Sequence, residues 1–222
     1  MKKIAINLFL FTSILFLIFI TILSTVGIET NKFNNLISNK LSQTKNIDLE
    51  LNAITFKINP KELSLFIETQ NPKIIYKKIL VPVKNVKVFI DFLPLLKSDL
   101  KIKKTILVLE ELDITQLNKL SLIIKPSNFK SILNNKIKKG KVISEIEIFL
   151  TEQGAFKNFI AKGNVKDLKI ELFSGFNLNK LKLSFFADKN DILIKNIDGY
   201  FEDIKISDGD VKLNLEGGIN LR

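Results

Sequence analysis

The chain contains no cysteine and no histidine. Without cysteine there is no disulfide framework, no thiolate zinc site and no thiol nucleophile. Without histidine the usual base of a hydrolytic triad and the commonest transition-metal ligand are missing as well, leaving carboxylates, Lys, Ser and Tyr for any chemistry. Tryptophan is absent, tyrosine occurs twice, and Arg222 is the sole arginine. Readers of nucleic acid rely on arginine forks and stacking aromatics, so no nucleic-acid partner is expected despite a net charge of +11. The abundance of Lys, Asn and Ile is that of an A/T-rich coding bias, which accounts for the basic excess without a polyanion.

Charge is absent from one long stretch. After Lys2 and Lys3, residues Ile4 to Ile28 carry none and are mostly Leu, Ile and Phe. A window of about 20 such residues spans a bilayer, and each central Leu, Ile or Phe favours insertion by roughly 0.3 to 0.6 kcal/mol. The run exceeds the apolar region of a cleaved signal peptide, and Ser24-Thr25-Val26-Gly27 matches a cleavage site poorly. Residues 1–28 therefore read as an uncleaved anchor and 29–222 as one domain beyond the membrane. The basic pair places the N-terminus in the cytoplasm and, in a bacterium, the bulk of the chain in the periplasm.

Beyond the anchor, two short amphipathic helices are expected, near 31–43 (Phe33, Leu36, Ile37, Leu41) and near 126–138 (Phe129, Ile132, Leu133, Ile137). Most of the remainder alternates apolar and polar residues with period two, predicting a mainly β fold built as an antiparallel meander. Leu49 and Leu51 precede Ile54, Phe56 and Ile58, with a phase slip at Asn52-Ala53 that marks a bulge or a swapped face. Asn59-Pro60-Lys61 supplies a hairpin turn, Asn71-Pro72 closes the next strand, and Pro82 marks an edge or a strand boundary. Phe92 to Leu96 reads as a helical turn or a packed loop. Further strands are expected at Ile146 to Leu150, Phe156 to Val165, Leu168 to Phe173, Leu178 to Phe185, Ile192 to Ile197, Ile204 to Ile206 and Val211 to Leu215. Asp208-Gly209 reads as a tight turn between the last two. Phe33 to Leu51 and Phe129 to Ile148 share one order of residue types, which fits either a duplicated unit or coincidence in a chain of this composition. The alternation persists to Leu221, and an unpaired last strand is an aggregation hazard, so a longer β array is expected.

Candidate chemical groups have simpler uses. Glu202, Asp203, Asp208 and Asp210 lack the spacing of a calcium loop and read as solvated turn residues. Of Glu110, Glu111 and Asp113, only the last two would share a strand face, and nothing there marks a pocket. The Lys136 to Lys141 run reads as a helix end satisfying carbonyls. No Gly-x-Ser-x-Gly elbow or phosphate-cradling loop occurs. No catalytic residue, metal or cofactor is assigned, and a non-enzymatic role is expected.

The order of parts carries a resemblance. An anchor is followed by Phe33-x-x-Leu36-Ile37-x-x-Lys40-Leu41, then Ile47-Asp48-Leu49-Glu50, Ile54-x-Phe56-x-Ile58, Leu63-x-Leu65 and Asn71-Pro72-x-Ile74. After these come Val86-x-Val88-x-Ile90-x-Phe92-x-x-Leu95-Leu96 and Leu100-x-Ile102. This series resembles the N-terminal region of the AsmA-like superfamily, which with YhdP and TamB is similar to eukaryotic chorein-type lipid-bridge proteins. The resemblance implies a bacterial inner-membrane protein whose periplasmic β-groove carries phospholipid toward the outer membrane. Its partners would be acyl chains, the inner membrane and other envelope proteins. Ile54, Phe56, Ile58, Leu63, Leu65 and Ile67 are the expected groove lining. Roughly fifteen strands at about 4.8 Å would give a groove near 70 Å at most. Two other readings stand beside it: an adaptor of lipopolysaccharide export similar to LptC, and a closed β-sandwich acting as a lipid-free envelope scaffold.

Overall fold

The computed structural model describes residues 2–31, 34–35, 47–62, 64–91, 101–122, 128–151, 153, 155–173 and 175–214. Helix α1, Lys2–Thr25, holds the apolar run, with a mean hydropathy of 2.6. At 1.5 Å per residue its 24 residues reach about 36 Å, enough to cross the hydrocarbon core of a bilayer. Most of its hydroxyls are satisfied within the helix. Thr12, Thr21 and Thr25 donate to the carbonyls of Leu8, Leu17 and Thr21 at 3.0, 2.8 and 2.7 Å. The helix stops at Gly27, whose φ of +80° suits glycine and where a Cβ would lie 2.6 Å from the Phe56 carbonyl oxygen. The expected helix near 31–43, the Phe92 to Leu96 segment and the first copy of the suspected repeat fall largely outside the described residues.

From Gly27 the chain passes directly into β1 (Ile28–Thr30) on the edge of β3 (Ile54–Asn59), with Ile28 opposite Phe56. A meander follows: β4 (Ser64–Gln70), β6 (Ile79–Asp91), β7 (Ile102–Leu109), β9 (Ile137–Leu150), β10 (Phe156–Phe173), β11 (Phe176–Asp188), β12 (Asp191–Phe201) and β13 (Ile204–Asn214). In space they follow chain order, β1-β3-β4-β6-β7-β9-β10-β11-β12-β13, and the sheet stays open between β1 and β13. Ten strands side by side at about 4.8 Å make a surface about 43 Å long, shorter than the expected 70 Å. The difference arises because several stretches that read as separate strands are one.

The early strands are jointed. β2 (Ile47–Glu50) precedes β3, and its partner β5 (Lys73–Tyr76) continues β4, so each long strand breaks at the same level, over 51–53 and 71–72. The slip at Asn52-Ala53 is thus a break, and the Asn52 amide spans it by donating to the carbonyls of Gln70 and Asn71 at 3.3 and 3.2 Å. Pro82 sits where β5 pairing ends and β7 pairing begins, a position that needs no further N–H donor.

Four later strands are bent by bulges. Asp167, Lys180, Asn196 and Asp208, one each in β10 to β13, have φ of 50, 52, 53 and 57°, at or beside register shifts. Together they form a crease across the sheet. This corrects the expected turn at Asp208-Gly209: its left-handed residue serves a bulge inside β13, and the hairpin turns at Glu202-Asp203. Between β7 and β9 the chain inserts β8 (Leu112–Asp113) and helices α2 (Ile114–Ser121) and α3 (Asn128–Asn135). α3 occupies the region of the expected 126–138 helix, and Ile137 onward is strand, because β-branched and alternating residues pair with β10 there. Lys138 still donates to the Asn135 carbonyl at 2.9 Å, so one lysine of the run serves the helix end.

Candidate functional site

The pairing register assigns every strand residue to a face. Ile54, Phe56 and Ile58 stand opposite Thr69, Ile67 and Leu65, so five of the six residues expected to line a groove share one face. Leu63 lies outside the described residues. Ile54 is 1% exposed, whereas Phe56, Ile58, Leu65 and Ile67 are half-buried. Sequence reasoning nominated only this first hairpin. Register carries the same face onward through Val86, Val88 and Ile90 of β6 to Leu107 and Leu109 of β7. It continues through Val142, Ile146 and Ile148 of β9 and Phe159, Ala161 and Val165 of β10. Leu183, Phe185, Ile194, Ile192, Val211 and Leu213 extend it to β13. Thr69, Thr105 and Ser144 are polar interruptions on it. The sequence signal for these residues is the same period-two alternation, which says that a strand has an apolar face but not that ten strands present theirs on one side.

Two clusters anchor this face. Val83, Leu109 and Leu112 are buried beneath Leu117 and Leu120 of α2, with Val86 and Ile146 beside them. The helices therefore roof part of the trough over β6 to β9. Their ends are tied by the Ser121 hydroxyl, which donates to the Asn118 carbonyl at 2.7 Å and lies 3.2 Å from the Asn134 amide oxygen. Past the crease, Val165, Leu168 and Leu181 are buried with Ile170, Leu178 and Phe185 around them.

The opposite face is charged. Glu68 is 7% exposed, yet it meets the Lys57 ammonium at 2.9 Å, the Lys87 ammonium at 3.7 Å and the Asn85 amide at 2.7 Å. Burial pushes its carboxyl up, but these hydrogen bonds and charges outweigh it and hold the pKa below the usual glutamate value. Lys162 bridges Glu145 at 2.8 Å and Glu147 at 3.5 Å, and its pKa is raised, chiefly by the hydrogen bond to Glu145. Lys104 and Lys87 lie over Phe89 and Phe66, whose rings stack at 5.1 Å. One side of the sheet is thus nearly all apolar, whereas the other mixes ion pairs with Phe66, Phe89, Ile106, Val108, Phe149 and Phe186.

The carboxylates weighed from sequence disperse. Glu111 pairs with Lys141 at 2.6 Å, while Asp113 caps α2, accepting from the Gln116 backbone at 2.8 Å. Glu202 accepts from the Asn177 backbone at 2.6 Å and Asp210 from the Asn196 backbone at 3.1 Å. Among the described residues no group of three or more His, Cys, Asp or Glu side chains gathers as metal ligands would. The most extensive feature of the described residues is the apolar face.

Comparison with protein-family models, curated proteins and solved structures gives no match for this chain.

Proposed function

We propose that this chain is an AsmA-like carrier that holds phospholipid acyl chains on the apolar face of its sheet, tethered to the bacterial inner membrane with the sheet in the periplasm. The observation that carries this reading is one apolar face continuous over ten strands of an open sheet, starting two residues after the anchor helix. An acyl chain loses about 0.8 kcal/mol of hydrophobic stabilisation for every methylene exposed to water, so a sixteen-carbon chain in water costs on the order of 13 kcal/mol. A half-buried apolar strip removes most of that cost. Because β1 joins the anchor through Val26 and Gly27 alone, the first strands stay at the bilayer surface, and Ile28 and Phe56 begin the strip there. The reading is one of binding.

The test is lipid carried by the full chain in mild detergent, quantified by mass spectrometry. Wild type is expected to retain more phospholipid than the trough variant Ile148→Asp/Ile194→Asp, with the outer-face variant Lys195→Asp matching wild type. Equal lipid in all three would reject the carrier and favour an export adaptor or a lipid-free scaffold.

A further inference from the structure

The outer side of the crease carries lysines where a sheet does not ordinarily tolerate them. Lys141 stands directly opposite Lys166, and Lys139 directly opposite Lys169, on the charged face of β9 and β10. Like charges in cross-strand register repel. Lys141 is relieved by Glu111 at 2.6 Å, but among the described residues Lys139, Lys166 and Lys169 have no carboxylate within ion-pair distance. The fold keeps Lys139 opposite Lys169 with no carboxylate partner for either among the described residues.

Lys139 and Lys169 border a cavity. A cleft of about 600 Å³ is lined by Lys139, Lys169 and Lys180 together with Asp167, Asn179, Tyr200, Glu202 and Asp203. Lys180 lies 5.9 Å from the Tyr200 ring centroid. Glu202 is already engaged by the Asn177 backbone, so the cleft sets three ammonium groups beside the Asp167 and Asp203 carboxylates and the Tyr200 ring.

We propose that this cleft is a second binding site, separate from the trough, for a phosphate-bearing polar molecule that also carries hydroxyl or ammonium groups. The phosphate is held by Lys139, Lys169 and Lys180, which accounts for Lys139 and Lys169 standing opposite each other. Asp203 accepts from the hydroxyl or ammonium end, and Tyr200 offers a flat apolar wall. The same chemistry belongs to a soluble phosphate ester and to a lipid headgroup.

The full chain, held in phosphatidylcholine nanodiscs, is titrated calorimetrically with O-phosphoethanolamine and separately tested for co-flotation with added phosphatidylglycerol vesicles. Saturable binding is expected in at least one arm, weakened at least tenfold in Lys139→Gln/Lys169→Gln and unchanged in Lys189→Gln. A response to phosphoethanolamine identifies a soluble ligand, and a response to vesicles alone identifies a headgroup; each supports the site. The double variant is also expected to melt higher by about 2 to 4 °C, since repulsion is removed. Absence of binding in both arms, equal binding by the double variant, or a lower melting point would overturn the proposal. None of these readouts depends on whether the trough holds acyl chains.

Discussion

Gly163 of β10 faces Phe185 of β11, and a Cβ on Gly163 would lie 2.9 Å from two carbons of that ring and 2.2 Å from the Ile143 carbonyl oxygen. The ring fills the space that the missing side chain leaves on the trough face. Gly163→Ala therefore forces both backbone and ring to move. The expected cost is about 1 to 3 kcal/mol, and at about 2 to 4 °C per kcal/mol for a chain of this size the thermal midpoint drops clearly. Circular dichroism melting checks it.

Glu68 makes stability depend on acid. Its folded pKa lies below the ordinary value, so its contribution is complete above the unfolded pKa and is lost as pH falls through the folded one. Wild type should lose stability as the pH falls through and below the ordinary glutamate range, and Glu68→Gln should show a shallower loss there. At neutral pH the variant should be less stable by about 1 to 3 kcal/mol, because Lys57 and Lys87 keep their charge beside an uncharged amide. Urea unfolding at several pH values measures both effects.

The roof over the trough hangs on a cap. Asp113 and Gln116 satisfy each other's backbone N–H groups at 2.8 and 2.9 Å at the start of α2. Asp113→Ala should weaken the helix by about 1 kcal/mol, raising amide exchange from Leu117 to Ser121 about fivefold while β10 and β11 stay protected.

The long apolar N-terminal helix, the meander and the hairpin turn after Asn59 were legible from hydropathy, period-two alternation and turn chemistry. The Lys61 amide indeed donates to the Asn59 side chain at 3.1 Å. Helix α2 was overlooked although Asp113-x-x-Gln116 spells a capping box, because the neighbouring Glu110-Glu111-Leu112 reads as strand. Phase slips were the main source of error. Val165 to Leu168 and Ile206 to Val211 look like strand ends, since a turn and a bulge both interrupt alternation. Only the register distinguishes them, with Asp167 and Asp208 kept inside continuous ladders. The lysine pairs were hidden for a related reason: Lys139 and Lys169 become neighbours only through long-range pairing.

A photo-crosslinking scan along β9 tests the central claim most directly. The crosslinker replaces each residue from Val142 to Phe149 in turn, in the full chain in native membranes, and phospholipid adducts are read by mass spectrometry. The account expects adducts to alternate, present at Val142, Ser144, Ile146 and Ile148 and absent at Ile143, Glu145, Glu147 and Phe149. Adducts on both faces alike, or on neither, would contradict it.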